Sequence, residues 1–262
     1  MEIPFSRWYA AIEERRSRRQ FDQGPVNQEL LKHLDTVCKE FKPFTGVKAV
    51  LRNKATDMIF KGVFANYGKI KNAPAFIAFV GNKDDPNVHE KVGYLGEGIV
   101  LEATALSLGT CWVGAAFRPE VAASLVGIKE NEKVFAVTPV GYVFGKWSLE
   151  EKIMTGFGRT HRRKPLSEIV TGLEEQTWTM WVKTALEAAR LAPSAVNRQP
   201  WRFHIEPHCI TISVDNLNDT FNIPKRLDCG IAMLHIEVAS LYCGVKGAWE
   251  FLKPDDVARF IV

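Results

Sequence analysis

The residues best suited to chemistry sit in two distant stretches. In Ala192-Pro193-Ser194-Ala195-Val196-Asn197-Arg198-Gln199-Pro200-Trp201, Ser, Asn and Gln lie beside a Trp and between two prolines. Pro193 ends a helical segment read over Ala185 to Leu191, and Pro200 forbids helix, so the backbone between them is irregular. Such a loop offers donors and acceptors to a flat ligand with polar edges. The same residue types also serve a capped helix end and a tight turn. The second stretch, Arg15-Arg16-Ser17-Arg18-Arg19-Gln20-Phe21, puts four arginines in five positions. Like charges this close repel one another unless an anion is near. Guanidinium forks bind phosphate bidentately, and the Ser17 hydroxyl adds a donor. A solvated basic patch is the plain alternative.

The elements that must hold these stretches are legible in outline. Trp8, Ile12 and Arg15 mark a first helix, and Leu30, Leu31 and Leu34 stripe a second that ends near Lys42-Pro43. Ala75 to Val80 reads as a strand, Val92 to Leu108 as a buried helix closed by Gly109, Phe135 to Phe144 as a strand, and Arg202 to Ile205 as another. Composition is ordinary for a globular chain of 262 residues, 46% hydrophobic and 24% charged, enough for one large domain or two small ones. A net charge of +4 is too small to imply nucleic acid, though a local cluster could hold a phosphate. The five cysteines are scattered without a CxxC pair and read as reduced, buried thiols. His204-Ile205-Glu206-Pro207-His208-Cys209 straddles a proline and makes a poor metal site. No stretch approaches the ~20 apolar residues of a membrane span, and no signal peptide is read, so a cytoplasmic location is expected.

A helix ending in APSxxNxQPWxF resembles the flavin-ring-binding segment of the nitroreductase family, the FMN-dependent oxidoreductases. The RRSxRxF run resembles the segment that opens nitroreductases and grips the FMN phosphate and ribityl chain. Between them, Asn66 and Lys69 have the NxxK spacing of the position that reaches the flavin pyrimidine edge. Gly109 to Phe117 is similar to the LGTxWxGxF loop, whose backbone N–H near Gly114 and Ala115 would address flavin N5. Gly141-Tyr142 is similar to the family's GY, and His161 to Leu166 to the basic RKPL segment that returns to the phosphate.

The resemblance implies binding of FMN by Arg15, Arg16, Ser17, Arg19, Asn66, Lys69, Gly114, Ala115, Arg163, Pro193, Ser194, Ala195, Asn197 and Gln199. It assigns no side chain as acid or base. The first half carries RRSRRQF and no QPW, and the second carries APSAVNRQPW and no RRSxR. Glu237, Leu241 and Gly244 repeat the spacing of Glu102, Leu106 and Gly109. In dimeric nitroreductases each flavin lies between subunits. The expectation is therefore an α+β, nitroreductase-like fold duplicated in tandem, with two antiparallel-type sheets flanked by helices. Residues 1–170 would form the first half and 171–262 a shorter second half, an intrachain pseudo-dimer around one FMN. It most resembles the single-chain Putative TM nitroreductase type. The implied activity is two-electron reduction of a nitroaromatic, quinone or similar small-molecule acceptor by NADH or NADPH. Ping-pong kinetics are expected because no GxGxxG loop is present. Neither nucleic acid nor membrane is an expected partner, and the chain could act as a monomeric pseudo-dimer or pair into a homodimer. A flavin sensor or carrier without turnover is the alternative, and an interaction domain without flavin a third reading.

Overall fold

Apolar periodicity resolves the chain into two sheets with helices packed between and around them. The computed structural model describes residues 1–53, 56–60, 70–115, 117–144, 162–219 and 222–262. In chain order the elements are α1 (Phe5–Glu14), α2 (Gln28–Glu40), β1 (Val47–Arg52), α3 (Thr56–Phe60), β2 (Ala75–Asn82), α4 (Val88–Ala105), β3 (Gly109–Thr110), α5 (Pro119–Val126), β4 (Glu132–Gly141), α6 (Leu166–Ile169), β5 (Val170–Gly172), α7 (Met180–Arg190), β6 (Trp201–Glu206), β7 (Cys209–Val214), α8 (Lys225–Tyr242), β8 (Ala248–Phe251) and β9 (Asp256–Ile261). This is an α+β fold with two sheets flanked by helices, as expected.

The first sheet has the order β1-β2-β4-β3 and is antiparallel throughout. The second has the order β5-β6-β7-β9-β8 and is antiparallel except for its β5–β6 edge. That parallel pair departs from the expected antiparallel sheets. It arises because α7 lies between β5 and β6, and a helical crossover returns the chain in the same direction. The expected boundary between residues 170 and 171 falls inside β5. Setting β5 aside, the second sheet repeats the order of the first, with α4 following β2 and α8 following β7. A register break follows the pair Phe79–Ala136 in one sheet and the pair Ile212–Ala258 in the other.

α4 and α8 are buried almost all round, as helices at the centre of a domain must be. They cross where each has a glycine. A Cβ on Gly93 would stand 2.1 Å from the carbonyl oxygen of Leu227, and one on Gly230 would stand 2.0 Å from that of Glu90. The contact is reciprocal: Leu227 follows Glu90, and Gly230 follows Gly93, by the same 137 positions. Only hydrogen fits on either Cα without pushing the helices apart. Gly230→Ala should therefore lower stability by ~1–3 kcal/mol or more, the range for overpacking, read as a fall in the urea midpoint.

The two helices also end alike. Leu106, Ser107 and Leu108 N–H bond to Glu102, Thr104 and Ala103; Cys243, Gly244 and Val245 N–H bond to Ala239, Leu241 and Ser240. The left-handed residue is Ser107 (φ 59°) in the first turn and Gly244 (φ 76°) in the second. Gly109, expected to close α4, lies beyond the turn, in β3. The spacing match read from the sequence is therefore two residues out of register with the folded helices, because it paired Gly244 with the wrong small residue. A single apolar core runs from α1 and α2 through α4 and α8 to the second sheet. A smaller cluster lies behind β2, beneath α3 and α5.

Candidate functional site

Most of the residues expected to hold a ligand converge on one region. Arg15 caps α1, and the chain then runs extended: Ser17 bridges Thr110, and Arg18 N–H bonds to the Thr110 carbonyl at 2.7 Å. Further on, Lys71 N–H bonds to the Arg19 carbonyl at 2.9 Å. The arginine run is thus stitched beside β3 at the head of the loop carrying Gly114 and Ala115. The individual arginines diverge. Arg15 is buried, whereas Arg16 is exposed and caps α1 through the carbonyls of Glu13 and Arg15 at 2.6 and 2.8 Å. Arg18 donates to the Phe144 carbonyl at 2.9 Å, and Arg19 is half-buried. Asn66 and Lys69 lie outside the described residues, as does His161.

The distant loop meets this run through Arg163. Its guanidinium donates to Asn197 Oδ1 at 2.8 Å and to the Leu191 carbonyl at 3.3 Å. Burial, and then the charges of Arg15, Arg16 and Arg190, push it down to about 10. Asn197 and Gln199 amides donate to the Arg162 carbonyl at 2.9 and 3.1 Å. Gln199 Oε1 accepts from Lys164 N–H at 2.8 Å, and the Ser194 hydroxyl accepts from Gln199 N–H at 2.9 Å. Pro193 is buried, and Ala195 N–H bonds to Asp228 Oδ1 on α8 at 3.1 Å. Gly114 closes the circle, since a Cβ there would stand 3.3 Å from Ile223, just ahead of α8.

The chain matches the Putative TM nitroreductase family over residues 7–240. It belongs to that family. No curated protein matches it. Among solved structures, a putative nitroreductase from Thermotoga maritima is 20% identical, with TM-score 0.64, covering 97% of this chain and 93% of that one. That likeness carries the fold. A nitroreductase family protein from Clostridium novyi NT is 24% identical at TM-score 0.44, covering 58% of this chain and 92% of its own. One from Clostridium difficile 630 is 21% identical at TM-score 0.45, covering 66% and 98%.

This nitroreductase-family chain also holds buried donors beside that region which motif reading did not reach. Arg15 Nε is buried and lies 3.9 Å from Glu97 Oε1, beyond hydrogen-bond distance, with no hydrogen-bond partner among the described residues. Burial holds this guanidinium below its ordinary value, partly offset by Glu97. Glu97 is itself occupied, accepting from Trp112 Nε1 at 2.7 Å and facing His235 Nε2 at 3.0 Å. Arg198 donates through Nε to Asp228 Oδ2 at 2.7 Å, while its two terminal nitrogens are buried without partners among the described residues. Trp201 Nε1 is likewise buried and has no hydrogen-bond partner among the described residues. All are donors, and buried donors call for acceptors. Arg198 is the unassigned position of NxQ, and its partner lies thirty positions on.

The loop backbone is strained as well. Val196, Asn197 and Gln199 have φ of 53°, 56° and 48°. Asn tolerates the left-handed region, but a β-branched residue there is an outlier of the kind that gathers at ligand clamps. Val196→Asn should relieve it and raise stability by about 1 kcal/mol, seen as a higher urea midpoint.

Proposed function

We propose that the chain binds one FMN and acts as an NAD(P)H oxidoreductase of nitroreductase type, reducing a nitroaromatic, quinone or similar small acceptor. The observation that carries this reading is the Arg163–Asn197 bond. It joins the ring-motif loop to a cluster of guanidiniums at Arg15, Arg16 and Arg163, whose mutual repulsion a phosphate would relieve. The unpaired Arg15 Nε fits such an anion.

Arg15, Arg16, Ser17 and Arg163 would hold the phosphate, with Arg19 and Lys69 addressing the pyrimidine edge beside Asn66. Gly114 and Ala115 would present bare backbone N–H to the ring, which a bulkier side chain would keep away. Pro193, Ser194, Ala195, Asn197 and Gln199 would line it, held in place by Asp228 and the Arg162–Lys164 segment. When bound, FMN supplies the hydride chemistry, accepting from nicotinamide and delivering to the acceptor. The two halves meet here as the subunits of a dimer would, which supports a tandem origin and a pseudo-dimer within one chain.

The test is to purify the protein, load it with FMN and mix it with NADH or NADPH without oxygen. Bleaching of the flavin absorbance, followed by recovery on adding a quinone or nitroaromatic, is expected. Bound flavin that neither donor bleaches would make it a flavin sensor or carrier. Failure to take up FMN would end the reading altogether.

A further inference from the structure

The reciprocal glycine contact fixes which residues of the two halves correspond, and so what stands opposite the ring-binding site. The 137-position spacing of Gly93 with Gly230 carries on past the helices: the bridge Val113–Val137 has its counterpart in the pair Glu250–Arg259. The register break confirms the pairing from the other side, because Ala136 and Ala258 sit beside it in their own sheets. Gly114 therefore corresponds to Phe251, and Asp228 to Lys91. Residues 41–46 take the place of the longer loop 191–200 and contribute Phe44 instead of the Asn and Gln.

These substitutes pack on one another. The Phe44 ring meets Tyr94 at 5.0 Å and Phe251 at 5.2 Å between centroids, both edge to face. Lys91 Nζ lies 5.2 Å from the Phe251 ring centre and bonds to Asp85 at 2.7 Å. Where one side of the molecule has a glycine and a polar loop, the other has two phenyl rings against a buried tyrosine. Such edge-to-face aromatic contacts are favourable and leave no slot for a planar guest.

We propose that Phe44 and Phe251, backed by Tyr94 and covered by Lys91, plug the symmetry-related counterpart of the flavin-ring site. The chain then has a single flavin site, and removing the two phenyl rings opens a second site for a flat, uncharged heteroaromatic ring. An uncharged ring is the fitting guest because residues 166–180, which lead into α7, carry Glu168, Glu174 and Glu175 and no arginine run to grip a phosphate. The inference rests on the FMN reading for the identity of the first site.

Equilibrium dialysis of wild type and the Phe44→Ala, Phe251→Gly double variant against FMN, and separately against lumichrome, tests it. Wild type should bind a single equivalent of FMN. The double variant should keep that equivalent and bind one more equivalent of lumichrome than wild type does. Two equivalents of FMN on wild type, or no gain of lumichrome by a variant with unchanged circular dichroism, would overturn the plug. No FMN on wild type would instead sink the proposed function, while the lumichrome difference would still decide the plug. Should the double variant not fold, Phe44→Ala alone removes the half-exposed ring and should show the same gain with weaker affinity; its absence counts against the plug equally.

Discussion

Arg163→Ala is expected to weaken FMN binding by ~10- to 100-fold, the loss of about 1.5–3 kcal/mol carried by a hydrogen bond to a charged group. Arg163 stands between the two parts of the proposed site: it donates to Asn197 at 2.8 Å and feels the charges of Arg15 and Arg16. Removing it should loosen the phosphate grip and release Asn197 from its orientation. Quenching of free FMN fluorescence on binding gives the constant directly. The control is riboflavin, which lacks the phosphate. If the guanidinium acts on the phosphate, riboflavin affinity should fall much less, and wild-type FMN affinity should decline with rising salt. An equal loss for both ligands would assign Arg163 to loop positioning alone.

Asp228→Ala should produce the largest loss of stability among single polar substitutions here, ~3–5 kcal/mol. Asp228 is buried against Arg198, whose side chain is 9% exposed, and it also accepts from Ala195 N–H. Taking it away leaves a buried guanidinium without the one side-chain partner it has among the described residues and frees the strained loop. A urea titration followed by tryptophan fluorescence would measure the loss; a midpoint within error of wild type would refute it. The same residue gives a pH signature. Burial lifts its carboxyl to about 6 from an ordinary 3.8, in spite of Arg198. The folded state thus binds the proton more tightly than the unfolded one. The associated stability is fully present below 3.8 and is lost as pH rises through about 6. Compared with Asp228→Asn, wild type should therefore lose ground between those limits as pH increases.

The two motifs were legible because their chemistry is local: a run of arginines and a proline-bounded polar loop declare themselves within ten residues. Three strands, β2, β4 and β6, and the central helix α4 followed from apolar periodicity, with ends a few residues out, whereas the remaining strands are too short or too irregular in pattern to read. What stayed hidden depended on partners far apart in the chain. Arg198 finds Asp228 across thirty positions, and Glu97 gathers Trp112 and His235 from different elements. No spacing rule announces such pairs. The left-handed Ser107 misled for another reason: propensity favoured Gly109 as the terminator, but a Cβ at Gly109 would meet Val143 at 2.2 Å, so that glycine serves strand packing. The crossover that makes β5 parallel was equally invisible, since a three-residue edge strand has no periodicity to read.

Lys91 and Asp228 stand at corresponding places on the central helices with opposite charges. Two identical subunits could never manage this, because any codon change appears on both sides of their axis at once. A polypeptide that encodes the two sides separately can give one a carboxylate and the other an ammonium. It is thereby free to specialise one flank for ligand and the other for rigidity, and a substitution that harms the first need not be felt by the second.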